Sequence, residues 1–348
     1  MLKEKKMIKI KLFELTILSL VFTLFAASTN YAETQKISGK FNKYLEFTNG
    51  DSPNQLLWMI EENGTPVTGT LQGPMAFVSL KNGSIWVADT QNARFCLFSK
   101  DGKNLKEINL LKIGKEIGLP NPPAIADFCL SNNLILAADD ASNSILEIDT
   151  DTNKTRIFKP SNSEKGKWFQ ITHLYSDKEG RIYVDDILSG KIIILDKNGK
   201  YISEIVAACI SVSPNDSSMA SIRYLEDLKG ESEVSIYQIL TNKGFSTQWT
   251  LANNIDNDIE NDNIIMNISI IGIDKNNNIY VVYETKDIRF YNIYSFDGTL
   301  LKTISISRTD AAYNPARPDW IDESGNIYTV TISNRTMKIL KLEEIIEE

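Results

Sequence analysis

The sequence contains one histidine, His173, the residue type best suited to acid–base chemistry near neutral pH. It lies within Phe169–Tyr175, which we predict to be a strand. One histidine cannot build a zinc site made of several histidines, so that class of metalloenzyme is disfavoured. His173 could act as a lone acid or base, or it could be an ordinary strand residue bonded to a backbone carbonyl. The sequence shows no nucleophile motif, phosphate loop or dinucleotide fingerprint, so we predict no catalytic residue.

Oxygen-bearing side chains offer weak candidates for a calcium site, because calcium prefers oxygen ligands. The segment Asp149–Asn153 has the opening spacing of a calcium loop. Pro160 stands where that loop needs its closing glutamate, which favours an ordinary hairpin turn. We therefore predict no metal site, with calcium kept as an alternative.

Two predicted loops and the strand after one of them carry residue types that are enriched at binding hot spots. Trp168 precedes the strand of His173, while Tyr313 and Arg317 precede Trp320. The alternative for each tryptophan is a plug packed between neighbouring sheets, and a carboxylate from another loop could hold Arg317. The predicted binding residues are Trp168, Tyr313, Arg317, Trp320 and His173.

A repeat organises these candidates along the chain. Short apolar runs, rich in β-branched and aromatic residues, alternate with turns that contain Gly or Asn, a pattern typical of strands joined as hairpins. One marker, the isoleucine that begins the second strand of each unit, recurs at an average interval of about 48 residues, which matches a propeller blade. The marker isoleucines are Ile85, Ile135, Ile182, Ile222, Ile279 and Ile327.

The repeat predicts an all-β fold, a six-bladed β-propeller of four-stranded antiparallel blades. The fourth unit is the weakest, with Ser221–Asp227 as its second strand and Val234–Ile239 as its third. The last unit lacks an outer strand, so the other end of the chain must supply it. We predict that Lys43–Phe47 is this closing N-terminal strand, with Leu56–Ile60 as the competing choice.

The stretch Val87–Phe98 strongly resembles the NHL repeat, whose signature is an apolar pair followed by Asp, then Asn and Arg three and five residues later. Here those residues are Asp89, Asn92 and Arg94, and the other units match less well. The resemblance implies that the repeat aspartates stabilise turns by accepting backbone N–H bonds in the loop between the second and third strands. Propellers of this kind serve as scaffolds, receptors and enzymes, so the resemblance implies a fold more than a function.

Two classes of propeller enzyme hold metal ions, and their metal sites can be compared with this sequence. Amidating lyases use zinc sites with several histidines, which this sequence does not provide. Calcium-dependent lactonases hold one ion at the channel through Glu, Asn and Asp side chains, and this is the role that the resemblance would give to Asp127, Asn267 and Asp319.

The first 32 residues have the order of a secretory signal. Met1–Lys11 carries five lysines against one acid, and the apolar stretch Leu15–Ala27 that follows is short for a bilayer span. We expect cleavage after Ala32, with cleavage after Ser28 or a retained anchor as alternatives. Residues 33–348 then form a single propeller domain in a secreted, periplasmic or cell-envelope protein.

The net charge and the cysteine content limit the classes of partner that we expect. The net charge of −8 argues against nucleic acid or an anionic membrane as the main partner. Three widely spaced cysteines do not indicate a disulfide framework. We expect a binding or protein-interaction scaffold that takes a protein, peptide or glycan at the face where the channel opens. A metal-dependent hydrolase or lyase with its site in the channel is the alternative.

Overall fold

A computed structural model describes residues 35–59, 61–62, 65–66, 73–163, 165–213, 218–225, 236–242, 247–250, 267–307, 318–332 and 336–345. The predicted signal segment, and with it the cleavage site, lies outside these residues. The described chain is all-β, as predicted, and is built from four-stranded antiparallel sheets. Within the described ranges, no helix is long and apolar enough to cross a membrane.

The strands run in chain order through successive sheets. The N-terminal elements are β1 (Gln35–Thr48) and the short pair β2 (Glu61–Glu62) and β3 (Thr65–Pro66). The first sheet contains β4 (Ala76–Ser79), β5 (Ile85–Asp89), β6 (Arg94–Phe98) and β7 (Asn104–Asn109). A 3-10 turn, Thr90–Asn92, joins β5 to β6, and the helix α1 (Leu110–Glu116) follows β7. The second sheet contains β8 (Ile125–Ser131), β9 (Leu134–Asp139), β10 (Ser144–Asp149) and β11 (Thr155–Phe158).

The later sheets repeat this up-and-down order. The third contains β12 (Ile171–Ser176), β13 (Ile182–Asp186), β14 (Lys191–Leu195) and β15 (Tyr201–Val206). The fourth contains β16 (Ala208–Val212), β17 (Met219–Leu225), β18 (Ile236–Asn242) and β19 (Thr247–Thr250). The fifth group is β20 (Asn267–Ile273), β21 (Ile279–Glu284), β22 (Ile288–Tyr294) and β23 (Leu300–Ser307). The last group is β24 (Asp319–Ile321), β25 (Ile327–Ile332) and β26 (Thr336–Ile345).

The second strands of the first and third sheets are the most deeply buried strands of those sheets. Every residue of β5 and of β13 is buried, because each sheet packs on a neighbour through both of its faces. The outer strands β7 and β15 consist mainly of exposed and partly buried residues. The buried side chains accordingly form separate clusters between neighbouring sheets.

The first strands of the sheets lie together. β4, β8, β12, β16, β20 and β24 contact one another in that order, and β24 also contacts β4. One buried cluster contains Phe77 of the first sheet together with Trp320 and Tyr328 of the last. Radial sheets arranged about their first strands are the architecture of a β-propeller.

The long strand β1 joins the two ends of the chain. It pairs antiparallel with β26 from Ser38 opposite Ile345 to Thr48 opposite Thr336, and its other edge faces β23. The predicted segment Lys43–Phe47 lies inside β1, whereas Leu56 makes only an isolated bridge to Asn49. β1 therefore lies between β23 and β26 and merges the last two groups into one eight-stranded sheet.

Turn chemistry agrees with the sequence in most units. Gly199 adopts φ +78, and a Cβ there would overlap the Phe158 ring, so the turn between β14 and β15 requires glycine. The fourth unit departs from the prediction, because its second strand begins at Met219 and its third at Ile236. Ser213 donates its N–H to the Ser218 carbonyl over 2.7 Å, so the hairpin closes earlier than the isoleucine marker indicated.

Candidate functional site

A cavity of about 550 Å³ lies where the first strands meet. Each of the sheets contributes to its wall through its first strand, and the wall is largely aliphatic. Polar side chains are added by β12 and β16. Representative wall residues, one from each first strand, are Val78, Leu130, Tyr175, Ser211, Ile271 and Ile321.

The cavity reaches the end of the propeller where the first strands turn into the second strands. Lys81 and Glu323 line it there, and Lys81 Nζ lies 2.7 Å from Glu323 Oε2. Ser176 also lines the cavity, and its hydroxyl donates to Ser131 Oγ over 3.1 Å. An apolar wall with a few polar groups at the rim is the usual composition of a ligand site.

A second repeated aspartate holds the turns at this end. Asp177, Asp274 and Asp322 each begin the turn between a first and a second strand, and each accepts a bond from a tyrosine hydroxyl six residues later. Asp322 also accepts the Asn326 N–H over 3.0 Å and lines the cavity. Sequence reasoning missed this set. The signal was present as Asp, three residues, Arg or Asn, Ile and Tyr, repeated three times.

The predicted binding residues do not form one exposed group in the described structure. Trp168 is 2% exposed and donates its indole N–H to the Asn143 carbonyl over 3.2 Å. Trp320 is 3% exposed, donates to Ser79 Oγ over 2.8 Å and stacks between Phe77 and Tyr328, yet it lines the cavity. Both tryptophans pack between sheets, which was the alternative considered for them. Tyr313 and Arg317 lie outside the described residues.

His173 lies on β12, on the strand that supplies Tyr175 to the cavity wall. Its Nδ1 is 3.6 Å from Asp185 Oδ2, which exceeds hydrogen-bonding distance, and its side chain is 25% exposed. The pair resembles a histidine oriented by a carboxylate. A role for His173 in binding stays a prediction.

The three calcium candidates have different surroundings. Asp319 is clamped by Arg289, whose Nη1 lies 3.2 and 3.1 Å from the two carboxylate oxygens, and Glu284 pairs with the same guanidinium. Burial raises the pKa of Asp319, and Arg289 partly offsets this. Asp127 is fully buried and accepts the Leu174 N–H over 2.8 Å.

The other calcium candidates are Asn267 and the segment Asp149–Asn153. The side chain of Asn267 lies outside the described residues. In the described part of the chain, no group of three His, Cys, Asp or Glu side chains is arranged to hold a metal ion. Asp149 accepts N–H bonds from Asp151 and Thr152 in the hairpin between β10 and β11, as expected for an ordinary turn.

The aspartates of the NHL-like signature accept backbone N–H bonds, but few of the donors in the described structure lie in the loop between the second and third strands, where the resemblance places them. Most of these bonds come from segments that lead into a sheet, in addition to the loop between second and third strands. In an antiparallel pair the start of the first strand lies beside the end of the second, which brings the N–H groups of Ala124 and Gln170 to the carboxylates of Asp139 and Asp186. The N–H donors for Asp89, Asp139 and Asp186 include those of Leu57, Ala124 and Gln170, respectively.

No family model and no curated protein matches the sequence. Among solved structures, virginiamycin B lyase from Staphylococcus aureus is 14% identical with a TM-score of 0.47, over 89% of this chain and 100% of that one. A member of the DUF4221 family from Bacteroides vulgatus is 11% identical with a TM-score of 0.49, over 88% and 99%.

The Swd1 β-propeller domain from Myceliophteria thermophila is 10% identical with a TM-score of 0.44, over 86% of this chain and 99% of that one. At these identities and scores we transfer no activity from these proteins. The fold assignment rests on the sheets of this chain, which make it a β-propeller.

Proposed function

We propose that the protein is an exported, six-bladed β-propeller of the NHL-repeat type that acts as a binding module. The observation that carries the proposal is the cavity of about 550 Å³, whose wall includes residues from every first strand. Its volume lies within the range of roughly 300 to 1,000 Å³ that is usual for ligand sites. A site assembled from many strands is held rigidly by the ring, so little order has to be imposed when a ligand binds.

The count of six blades and the closure by β1 are part of this proposal. They are supported by the order of contacts among the first strands, in which β24 meets β4, and by the pairing of β1 with β26. Export is supported by the basic and apolar order of the first 32 residues. Sequencing the N-terminus of the mature protein should yield Glu33, and an intact Met1 would contradict cleavage.

The cavity chemistry suits the end of a peptide or a glycan chain. Aliphatic side chains such as Leu130 and Ile271 would contact the ligand body. The Lys81–Glu323 pair and the hydroxyls of Tyr175 and Ser176 lie where a polar chain end could exchange hydrogen bonds.

A variant whose cavity is filled by a larger side chain tests this site. Short peptides and oligosaccharides of defined sequence are screened for those that raise the melting temperature, since a ligand that binds only the folded state stabilises it. Leu130→Trp fills the cavity and should abolish the shift caused by a ligand that binds there. Leu105→Trp places the same side chain at a position that is 53% exposed and does not line the cavity, and it should retain the shift. A screen in which every hit survives Leu130→Trp would overturn the proposed site.

The competing proposal is a calcium-dependent hydrolase or lyase with its site in the channel. The Arg289 guanidinium on Asp319 counts against it, because a resident cation already neutralises that carboxylate. Elemental analysis of the purified protein, with melting curves recorded with and without a chelator, separates the two proposals. A stoichiometric metal whose removal abolishes an activity would favour the enzyme, while a metal-free protein that still binds its ligand would favour the binding module.

A further inference from the structure

Three large apolar side chains are exposed together on the third sheet, at the end opposite the turn of Asp177. Phe169 is 50% exposed, Ile187 60% and Leu188 68%. Phe169 precedes β12, and the other two residues lie in the loop between β13 and β14. We call Phe169, Ile187 and Leu188 the third-sheet patch.

Hydrogen bonds join the two segments of the patch. Phe169 and Gln170 donate their N–H groups to the Asp186 carboxylate over 3.1 and 2.9 Å. Ile187 donates its N–H to the Gln170 carbonyl over 3.2 Å. Asp186 is fully buried, so its carboxylate links the segment before β12 to the end of β13 beneath the surface. The exposed side chains are therefore presented by a fixed backbone.

The neighbouring tryptophan anchors the patch. Trp168 is buried against the second and third sheets, and its indole bonds to Asn143, so the next residue, Phe169, is directed to the surface. Sequence reasoning selected Trp168 as the binding residue of this loop. The structure instead exposes the aromatic ring beside it.

Two lysines lie in the segment that leads into the patch, although the whole chain carries −8. Lys167 Nζ lies 4.7 Å from the centre of the Phe169 ring, and Lys165 is exposed in the same loop. The nearby carboxylates of Asp185 and Asp186 are buried. Lys191, which follows the Leu188 loop, is paired with Glu204 over 2.6 Å. A ligand seated on the patch thus meets apolar surface bordered by ammonium groups.

We propose that the third-sheet patch docks an acidic segment of a partner protein, with apolar side chains on Phe169, Ile187 and Leu188 and carboxylates beside Lys165 and Lys167. A short segment senses charges within about one Debye length, ~8 Å, and so meets mainly these lysines. An anionic membrane would face a much larger part of the acidic surface and be repelled by it. The charge pattern therefore favours a peptide segment over a lipid surface.

Fluorescence anisotropy tests the proposal with a short labelled peptide in which Glu alternates with Leu and Phe. Phe169→Ala and Leu188→Ala should each weaken binding of this probe about tenfold, as expected for hot-spot residues. Lys167→Glu should weaken it further and reduce its salt dependence. Ile202→Ala is the matched control, because Ile202 is 47% exposed on the outer strand of the same sheet, away from the patch.

Several outcomes would overturn the docking proposal. They are no binding of the acidic probe to the wild type, equal binding of a probe with Lys in place of Glu, equal losses for Ile202→Ala and Phe169→Ala, or binding to phosphatidylglycerol vesicles with none to the peptide. Leu130→Trp, which plugs the cavity, should leave binding of the acidic probe unchanged. The docking proposal and the cavity proposal can therefore be refuted independently of each other.

Discussion

Arg94 donates its Nε–H to Asp89 Oδ2 over 2.8 Å, and its Nη2 reaches the carbonyls of Ser52 and Gln55 at 3.0 and 2.8 Å. Asn92 donates to the same carboxylate oxygen of Asp89 over 2.8 Å. The complete NHL-like signature therefore holds the segment that follows β1. This explains why the strict motif occurs in the first unit, where the chain passes from β1 to the first sheet.

Removing the Arg94 guanidinium should lower the free energy of unfolding. Arg94→Ala leaves the buried Asp89 carboxylate without its cation, and we expect the free energy of unfolding to fall by about 3 kcal/mol. Arg156→Ala is the control, because the Arg156 side chain is 53% exposed and pairs with Glu147, so its removal should cost about 1 kcal/mol or less. Urea unfolding monitored by tryptophan fluorescence measures both. Equal losses in the two variants would show that the Arg94 network is not a structural clamp.

The packing of β1 against its neighbours depends on Gly39. A Cβ at this position would lie 2.7 Å from Ile304 Cγ2 and 2.9 Å from Leu342 Cδ1, so Gly39→Val should push β1 away from β23 and β26. We expect a single cooperative melting transition at a lower temperature, since the displaced strand exposes sheet edges. Lys40→Val, at the adjacent exposed position, should melt like the wild type. An unchanged transition for Gly39→Val would argue against the proposed closure.

Trp168 and Phe169 should contribute very differently to the free energy of unfolding. Trp168→Ala removes a buried ring and should lower the free energy of unfolding by about 3 to 5 kcal/mol. Phe169→Ala removes an exposed ring and should change it by no more than about 0.5 kcal/mol. Chemical denaturation of the two variants checks this. A stable Trp168→Ala protein would mean that the ring does not hold the second and third sheets together.

One turn carboxylate should leave a signature in the pH dependence of stability. The backbone N–H of Lys200, assisted by that of Asn198, holds the pKa of Asp196 below its usual range. The unfolded value is about 3.9. Its stabilising contribution is therefore present above about pH 4 and is lost as the pH falls through the lower folded pKa.

Asp196→Asn should accordingly lower the melting temperature at about pH 6, and the gap from the wild type should close below about pH 4. Asn198→Ala keeps the carboxylate and the backbone donors, so its difference from the wild type should not vary with pH. A constant gap for Asp196→Asn across this range would exclude the carboxylate as the cause.

The sequence alone was sufficient for the strands, most of their boundaries and the turns. Ile85, Ile182, Ile279 and Ile327 begin second strands as predicted. The turn at Gly199 was also found, because a left-handed turn residue and an apolar run are local properties that neighbouring residues determine. The fourth unit was misplaced by a few residues because its hairpin has no glycine to mark it.

Tertiary structure decided which side chains are available for function. Trp168 is buried because Asn143, 25 residues away in sequence, accepts its indole N–H, and this leaves Phe169 as the exposed ring. Asp319 is neutralised because Arg289, 30 residues away, reaches it from the neighbouring sheet. No local pattern encodes these partners. Sheets that are distant along the chain pack face to face, and their contacts determine which polar groups are satisfied and which surfaces stay open to a ligand.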